Sequence, residues 1–252
     1  MKIPHIHIKN AALAYGGHLV FSHLDIDLPA GEWIALLGPS GVGKSSFLRM
    51  IAGLASPEEI SQGTFYADNH QPLSQQVAYM GQTDMLLPWL TVLENAMVSA
   101  RLRTGKTRWT EAAQQAASLL NKVGLAEASH LYPHQLSGGM RQRVALVRTL
   151  MQDKPLVLMD EPFSAVDAIT RYKLQTLAAQ LLQDKTVLFI THDPLEALRL
   201  ADTIYIMQGE PASLKRVARL TSLRPRELSE PEIIDLQAML FRELAQAAGE
   251  AL

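Results

Sequence analysis

The sequence predicts an α/β fold with a mostly parallel sheet at its core, an antiparallel β subdomain and an inserted α-helical subdomain. Short apolar runs alternate with helical patterns, which is typical of a parallel sheet covered by helices on both faces. Residues 3–28 alternate between apolar and polar types, as half-buried antiparallel strands do. Residues 91–152 have mainly helical spacing, which indicates the inserted helices.

The composition is that of a globular protein. The chain has 252 residues, of which 48% are hydrophobic and 19% charged, so it can bury a sizeable core. Its net charge of −2 gives no reason to expect a nucleic-acid partner. The absence of cysteine excludes a disulfide framework and thiolate metal sites.

The N-terminal residues show no apolar core of a signal peptide, and no run reaches the roughly 18 apolar residues of a membrane span. We therefore expect a cytoplasmic chain that reaches a membrane only through its surface or another protein. His5 and His7 are predicted to lie on the exposed face of a strand.

Each core element has its own local signal. Apolar runs predict buried strands at Trp33–Leu37, Leu156–Asp160 and Thr186–Ile190, and a further short strand at Gln76–Met80. Helical spacing follows at residues 44–54 and is clearest at residues 109–125.

Two helix starts combine a polar cap with a proline. Asp193 and Pro194 predict one, with Glu196 completing a capping box. Ser229 to Glu232 repeats this arrangement and begins an amphipathic helix through Ile233, Leu236, Leu240 and Leu244.

A glycine-rich loop lies between a buried strand and a helix. Its sequence from Gly38 to Ser45, GPSGVGKS, matches the phosphate-binding pattern GxxxxGK[ST] in the setting that this pattern requires. Backbone N–H groups of such a loop surround phosphates, Lys44 supplies positive charge, and Ser45 can ligate Mg²⁺. The nucleotide-binding residues predicted here are Gly38, Pro39, Ser40, Gly41, Val42, Gly43, Lys44, Ser45 and Ser46.

Two further groups follow buried strands. Asp160 ends one strand, where α/β sheets place ligands, and can hold Mg²⁺, while Glu161 can deprotonate an attacking water. His192 follows the next strand and can bond the γ-phosphate. We therefore predict Lys44, Glu161 and His192 as the catalytic residues.

The sequence LSGGM, which starts at Leu136, is a second candidate phosphate site because it lies at the predicted start of a helix. Together with the phosphate loop, Asp160-Glu161 and His192, it resembles the ATPase subunit of an ABC transporter over residues 1 to about 208. The resemblance implies ATP and Mg²⁺ as cofactors and a head-to-tail homodimer. In such a dimer Ser137, Gly138 and Gly139 contact the ATP held by the partner subunit.

The same resemblance assigns three more residues. Tyr15 corresponds to an aromatic that stacks on adenine, although a buried strand tyrosine is an open alternative. Gln82 corresponds to a glutamine that reaches Mg²⁺ and water, and Asp167 to a contact across the dimer. Met140 and Val166 depart from the commoner glutamine and leucine, without putting hydrolysis in doubt.

The apolar segment that follows Gln82 indicates a docking surface. Leu86, Leu87, Pro88 and Trp89 suit a partner helix, whereas Leu90, Leu93 and Met97 suit a subdomain core. In the family the membrane permease docks here. Motifs such as LLPW resemble importer ATPases of the nitrate, sulfonate, taurine and hydroxymethylpyrimidine group. That group implies a small polar cargo, an indirect partnership with a substrate-binding protein, and a peripheral position on the cytoplasmic face of the inner membrane.

We predict an ATPase domain at residues 1–210, with its helical subdomain at about 83–150, and a C-terminal extension at 211–252. The basic residues of this extension, Lys215, Arg216, Arg219, Arg224 and Arg226, favour a solvated basic face over a phosphate-backbone or lipid site.

Three alternatives remain. An exporter subunit differs only in its partner. Soluble ABC ATPases that act on ribosomes usually join two ATPase halves in one chain, and those of DNA repair insert long coiled coils between the two phosphate motifs. Only about 90 residues separate these motifs here, which is too few for coiled-coil arms. A P-loop kinase lacks the LSGGM motif and needs an acceptor pocket.

Overall fold

The computed structural model describes residues 3–55, 59–104 and 109–249. Two sheets and their covering helices form the structure. The strands are β1 (Ile6–Tyr15), β2 (His18–Leu28), β3 (Trp33–Leu37), β4 (Glu59–Ala67), β5 (Val77–Met80), β6 (Leu156–Asp160), β7 (Thr186–Ile190), β8 (Thr203–Gln208) and β9 (Ser213–Arg219). The helices are α1 (Lys44–Ile51), α2 (Val92–Ala96), α3 (Val98–Thr104), α4 (Trp109–Lys122), α5 (Gly138–Leu150), α6 (Ala168–Leu181), α7 (Pro194–Leu200) and α8 (Pro231–Ala247).

The larger sheet positions the functional residues. Its order is β5-β6-β7-β3-β8-β9, and every pair is parallel except β8 with β9. Every residue of β3, β6 and β7 is buried, as the continuous apolar runs predict. Because these three strands are neighbours and parallel, the segments that follow them meet at one edge of the sheet.

The smaller sheet is antiparallel, in the order β2-β1-β4. Its first two strands confirm the alternating pattern, but the sequence analysis did not predict β4. The centre of β4 is polar and contains Gly63, at φ 134°, where a Cβ would lie 2.9 Å from Ala11 Cα. Residues 59–67 therefore form a strand mainly because they pair with β1, and less because of their own hydrophobic pattern.

The helices α2, α4 and α5 pack against one another beside the larger sheet. Their shared core includes Val92, Ala96, Leu120 and Val144, each fully buried. No helix among the residues described is both long enough and apolar enough to cross a membrane.

The C-terminal segment shares the larger sheet. The expected boundary at residue 210 falls in the turn between β8 and β9, and α8 packs on α7, β8 and β9. Ile233 and Leu240 are buried, which confirms an amphipathic helix. The predicted cap is wrong: Glu230 is the N-cap residue in place of Ser229, and no side chain caps the helix.

The C-terminal basic residues form ion pairs and backbone contacts. Arg226 is only 1% exposed and donates to the carbonyl oxygens of Leu198 and Ala201, while Arg224 pairs with Asp202. The prediction of a solvated basic face is therefore wrong for these two arginines, because both fold inward to bond the turn between α7 and β8. Lys215 and Arg219 are paired with Glu243 and Glu32.

Candidate functional site

The phosphate loop leaves the end of β3 and begins α1. Gly38 has φ 143°, and a Cβ there would lie 2.2 Å from the Met207 carbonyl oxygen. Gly43 has φ 108°, and its Cβ would meet Val20 Cγ1 at 2.7 Å. Only glycine fits at these positions. No side chain caps α1, which leaves the first N–H groups of the helix available to an anion.

Lys44 lies across this loop. Its side chain is almost buried, and Nζ donates to the carbonyl oxygens of Gly38 at 2.8 Å and Pro39 at 2.7 Å. Burial lowers the pKa of Lys44, although the Glu161 and Asp160 carboxylates act in the opposite direction. A phosphate oxygen can replace these carbonyls as the partner of the ammonium group.

Asp160 ends β6 at the bottom of the loop and is 2% exposed. Burial raises its pKa, against a hydrogen bond from Ser45. Its Oδ1 atom is buried and has no partner among the residues described. A buried carboxylate oxygen without a partner, beside a serine hydroxyl, fits a hard cation with oxygen ligands, so the residues present fit Mg²⁺.

Glu161 follows at once and is held from both sides. Its Oε1 atom lies 2.6 Å from His192 Nε2 and 3.2 Å from Gln82 Nε2. Its backbone adopts φ 50°, a left-handed conformation that is uncommon for residues other than glycine. This turn directs the side chain from the strand end toward the phosphate loop.

Lys44 and Glu161 line one cleft of about 240 Å³, and Asp160 lies outside its lining. The lining residues of this cleft are Ser40, Gly41, Gly43, Lys44, Ser45, Ser46, Gln82, Glu161 and His192. Six of the nine residues predicted in the phosphate loop, together with Gln82, thus line one cleft. Pro39 and Val42 line an adjoining cleft of about 610 Å³ on the other side of the loop, with His18 and Leu19.

Tyr15 ends β1 and is 44% exposed, so the alternative of a buried strand tyrosine is wrong. Neither of the two clefts includes it in its lining.

Ser137, Gly138 and Gly139 line neither cleft either. Ser137 caps α5, its Oγ accepting from the Met140 N–H at 3.3 Å, and Gly138 is exposed beside it. A Cβ at Gly139 would lie 3.0 Å from Val166 Cγ1 and 3.1 Å from the Ala165 carbonyl oxygen, so glycine allows α5 to contact that loop. The second phosphate motif is therefore exposed and separate from the chain's own phosphate loop.

Asp167 caps α6. Its Oδ1 accepts from the Thr170 N–H at 3.0 Å, and hydrogen bonding by the Thr170 backbone lowers the pKa of this carboxyl group. The carboxylate stays exposed, so the cap leaves it accessible to a second chain.

Gln142 is a connecting residue that the sequence analysis missed. Its Nε2 donates to the Glu161 carbonyl oxygen and its Oε1 accepts from the Ala165 N–H, each at 2.9 Å. It therefore joins the helix that begins at LSGGM to the backbone of Glu161. Its position one turn into α5, close to LSGGM, was the only sequence signal for such a role. Its partners could not be predicted, because they lie 19 and 23 residues away in sequence.

A second missed connection joins α5 to the loop after Gln82. Arg141 Nε donates to Asp84 Oδ2 at 2.9 Å, and Arg148 donates to the carbonyl oxygens of Asp84 and Met85. Three groups of hydrogen-bond acceptors on this loop, the Asp84 carboxylate and the carbonyl oxygens of Asp84 and Met85, are therefore bonded to side chains of α5.

Glu196 is buried and lines a neighbouring cavity with Glu161 and His192, instead of capping α7. Asp193 Oδ1 accepts from the Leu195 N–H, but Glu196 turns inward, where Oε2 accepts from Gln175 Nε2 at 3.1 Å. The capping-box prediction is therefore wrong, because Glu196 lies on the buried side of the helix. Burial raises the pKa of Glu196 to about 7, despite hydrogen bonds from Thr191 and Gln175.

This burial makes folding stability depend on pH. Burial raises the pKa of Glu196 from its ordinary value of 4.5 to about 7 in the folded chain. The stability that the neutral side chain contributes is therefore fully present below about pH 4.5 and is lost as pH rises through 7. Glu196→Gln cannot ionise, so its stability relative to wild type should rise by about 2–3 kcal/mol between about pH 5 and 8. Urea unfolding at both pH values measures this, with the exposed Glu232→Gln as control. If the free energy of unfolding of Glu196→Gln relative to wild type is the same at both pH values, Glu196 does not change its ionisation in a buried position and the prediction is wrong.

Comparison with known proteins agrees with this geometry. The sequence profile of the ABC transporter family matches residues 21–164. An uncharacterized ABC transporter ATP-binding protein of Haemophilus influenzae is 42% identical over 242 residues, covering 95% of this chain and 98% of its own. The aliphatic sulfonates import ATP-binding protein SsuB 1 of Pseudomonas syringae is 40% identical, covering 93% of each.

A solved structure is similar as well. It is the dimeric structure of a post-hydrolysis state of an ATP-binding cassette bound to ADP and Pi. Its sequence is 28% identical to this chain, the TM-score is 0.74, and the match covers 86% of this chain and 100% of the other. The predicted resemblance and fold class are confirmed. The chain belongs to the ABC transporter family, and it is an ATPase of that family.

Proposed function

We propose that this chain is the ATP-hydrolysing subunit of an ABC importer and that two copies close around two ATP molecules. The observation that carries the proposal is the cleft in which Glu161, held by His192 and Gln82, faces the phosphate loop. The proposal assigns the phosphates to the loop amides and to Lys44.

The hydrolytic roles follow from the contacts. Glu161 orients the attacking water and accepts its proton, while the 2.6 Å contact with His192 fixes the carboxylate. Ser45, Asp160 and Gln82 are the residues that would hold Mg²⁺. When bound, that ion neutralises charge on the phosphates.

The proposed homodimer gives the second phosphate motif a ligand. Ser137 and the amides of Gly138 and Gly139 begin a 13-residue helix, whose N-terminus favours an anion. Because this end is exposed and separate from the chain's own cleft, we assign it to the partner's ATP, with Asp167 at the same interface. Tyr15 is the proposed adenine contact, since it is exposed at the end of β1.

The loop after Gln82 is the proposed docking site for a membrane permease. Met85 and Trp89 are 60% and 69% exposed, an apolar pair on a loop held by buried Asn95. Leu86 is buried and belongs to the core, so the docking surface is narrower than the sequence predicted. The arginines of α5 link this loop to the LSGGM motif, which gives ATP-driven closure a route to the permease.

The relatives named for sulfonate import support a small sulfonate as cargo. A separate substrate-binding protein would deliver it, and the chain would lie on the cytoplasmic face of the inner membrane. Purifying the tagged chain in mild detergent and identifying the copurifying proteins tests the assembly. Uptake of alkanesulfonate, taurine and nitrate by that assembly tests the cargo. Partners of ribosomal or DNA-bound type, without a polytopic membrane protein, would overturn the importer assignment.

Trp89→Glu is expected to reduce transport at least about tenfold with basal ATPase largely intact, because a charge in an apolar interface core is costly and Trp89 does not line the ATP cleft. Leu102→Glu is the matched control, since Leu102 is 84% exposed in the same helical region. Sulfonate uptake and phosphate release are measured on the same preparations. Normal uptake by Trp89→Glu would remove the docking site from the proposal.

A further inference from the structure

A histidine and carboxylate cluster lies on the antiparallel sheet, away from the ATP cleft. His5 and His7 are two residues apart, and Asp27 of β2 is the register partner of His7. One potential ligand atom from each of these three residues lies within 4.8 Å of the others. His7 and Tyr15 lie near opposite ends of β1, about 26 Å apart at about 3.3 Å per residue.

We propose that His5, His7 and Asp27 form a binding site for a divalent transition-metal ion of the Zn²⁺ type. Two imidazoles and one carboxylate are a ligand set that suits Zn²⁺, with water as the fourth ligand. His5 and His7 are half-buried and their rings stack at 4.6 Å, so both are already held on the same side of the strand. The three ligand atoms lie within 4.8 Å of one another, so rotation about side-chain bonds is the movement that would bring them to one ion.

The contacts of His7 distinguish its two ring nitrogens. Nδ1 lies 2.7 Å from Asp27 Oδ1, and Nε2 lies 3.0 Å from Asp68 Oδ1. Metal-binding histidines commonly donate their second N–H to a carboxylate, which fixes the ring and its tautomer. Asp68 provides such a carboxylate, so Nδ1 is the nitrogen that faces the metal. The ion would take the place of the hydrogen bond between Nδ1 and Asp27.

Lys9 is the competing cation at this site. Its Nζ lies 3.1 Å from Asp27 Oδ1 and 3.2 Å from Oδ2. This pair is substantially exposed, so it holds Asp27 weakly and a doubly charged ion can displace it. Removing the lysine charge should therefore strengthen metal binding.

The test is calorimetric titration of the chelator-treated full chain with Zn²⁺, without nucleotide and with excess Mg²⁺ to occupy the Asp160 site. We expect one Zn²⁺ per chain, and Co²⁺ should give the intense visible absorption of a tetrahedral site. His5→Asn and His7→Asn should each weaken binding at least about tenfold, and Asp68→Ala about 10–100-fold. Lys9→Gln should bind Zn²⁺ more tightly than wild type.

His130→Asn is the matched control, because His130 is exposed and lies in the helical region. It should bind Zn²⁺ as wild type does, and ATP hydrolysis in every variant verifies folding. The proposal is overturned by a wild-type chain that binds no Zn²⁺, or by His5→Asn and His7→Asn that both keep wild-type affinity.

Discussion

Glu161→Gln is expected to bind ATP normally and to hydrolyse it about 10²–10⁴-fold more slowly than wild type. The amide keeps an oxygen that accepts from Gln82 and His192, but it cannot take a proton from water. ATP should therefore remain bound, and the variant should accumulate as an ATP-dependent dimer. Phosphate release and size-exclusion chromatography with ATP measure the two effects.

Glu232→Gln is the control for Glu161→Gln, because Glu232 is exposed on α8. It should match wild type in both measurements. Turnover near the wild-type rate in Glu161→Gln would show that another group accepts the proton, and the catalytic assignment would be wrong.

Mixing two inactive variants is expected to restore hydrolysis. Lys44→Ala removes the ammonium group of the phosphate loop and should abolish tight ATP binding. Ser137→Arg blocks the exposed LSGGM motif and should abolish hydrolysis while leaving monomer ATP affinity unchanged. In a mixed head-to-tail dimer, one composite site carries both changes and the other carries neither.

The mixture should approach about one quarter of the wild-type rate, because half of the dimers are mixed and one of their two sites is intact. The matched control is each variant alone at the same total concentration, which should stay inactive. If mixing restores nothing, and Ser137→Arg also loses ATP affinity, the two motifs serve the same subunit's ATP and the dimer proposal fails.

Local sequence was enough to predict the cleft. The phosphate loop, Asp160 and His192 each follow a continuous apolar run, and β3, β6 and β7 are neighbouring parallel strands. Residues that follow neighbouring parallel strands meet at one edge of the sheet, so their proximity required no knowledge of other contacts. The cleft containing Lys44, Glu161 and His192 is the result.

Buried polar residues were the main source of error. Glu196 suits a helix cap by its spacing, and Arg226 suits a solvated face by its charge, yet both are buried. Burial of such groups is decided by the partners that other parts of the fold offer. Arg226 finds carbonyl oxygens 25 and 28 residues away, and Glu196 finds Gln175 21 residues away.

By itself, the sequence determined the fold class, the family and the residues of the phosphate cleft, because strand patterns and the glycine loop are local properties of the chain. Only the tertiary structure decided that Gln142 joins α5 to Glu161, that Arg141 joins α5 to Asp84, and that His5, His7 and Asp27 form one cluster. These contacts depend on strand register and helix packing. Gln142 and Glu161 are 19 residues apart in sequence, and Arg141 and Asp84 are 57 residues apart. A local sequence pattern cannot predict contacts between residues so far apart in sequence. The hydrogen bonds that would transmit movement between α5, Glu161 and the loop at Asp84 are therefore seen only in the folded chain.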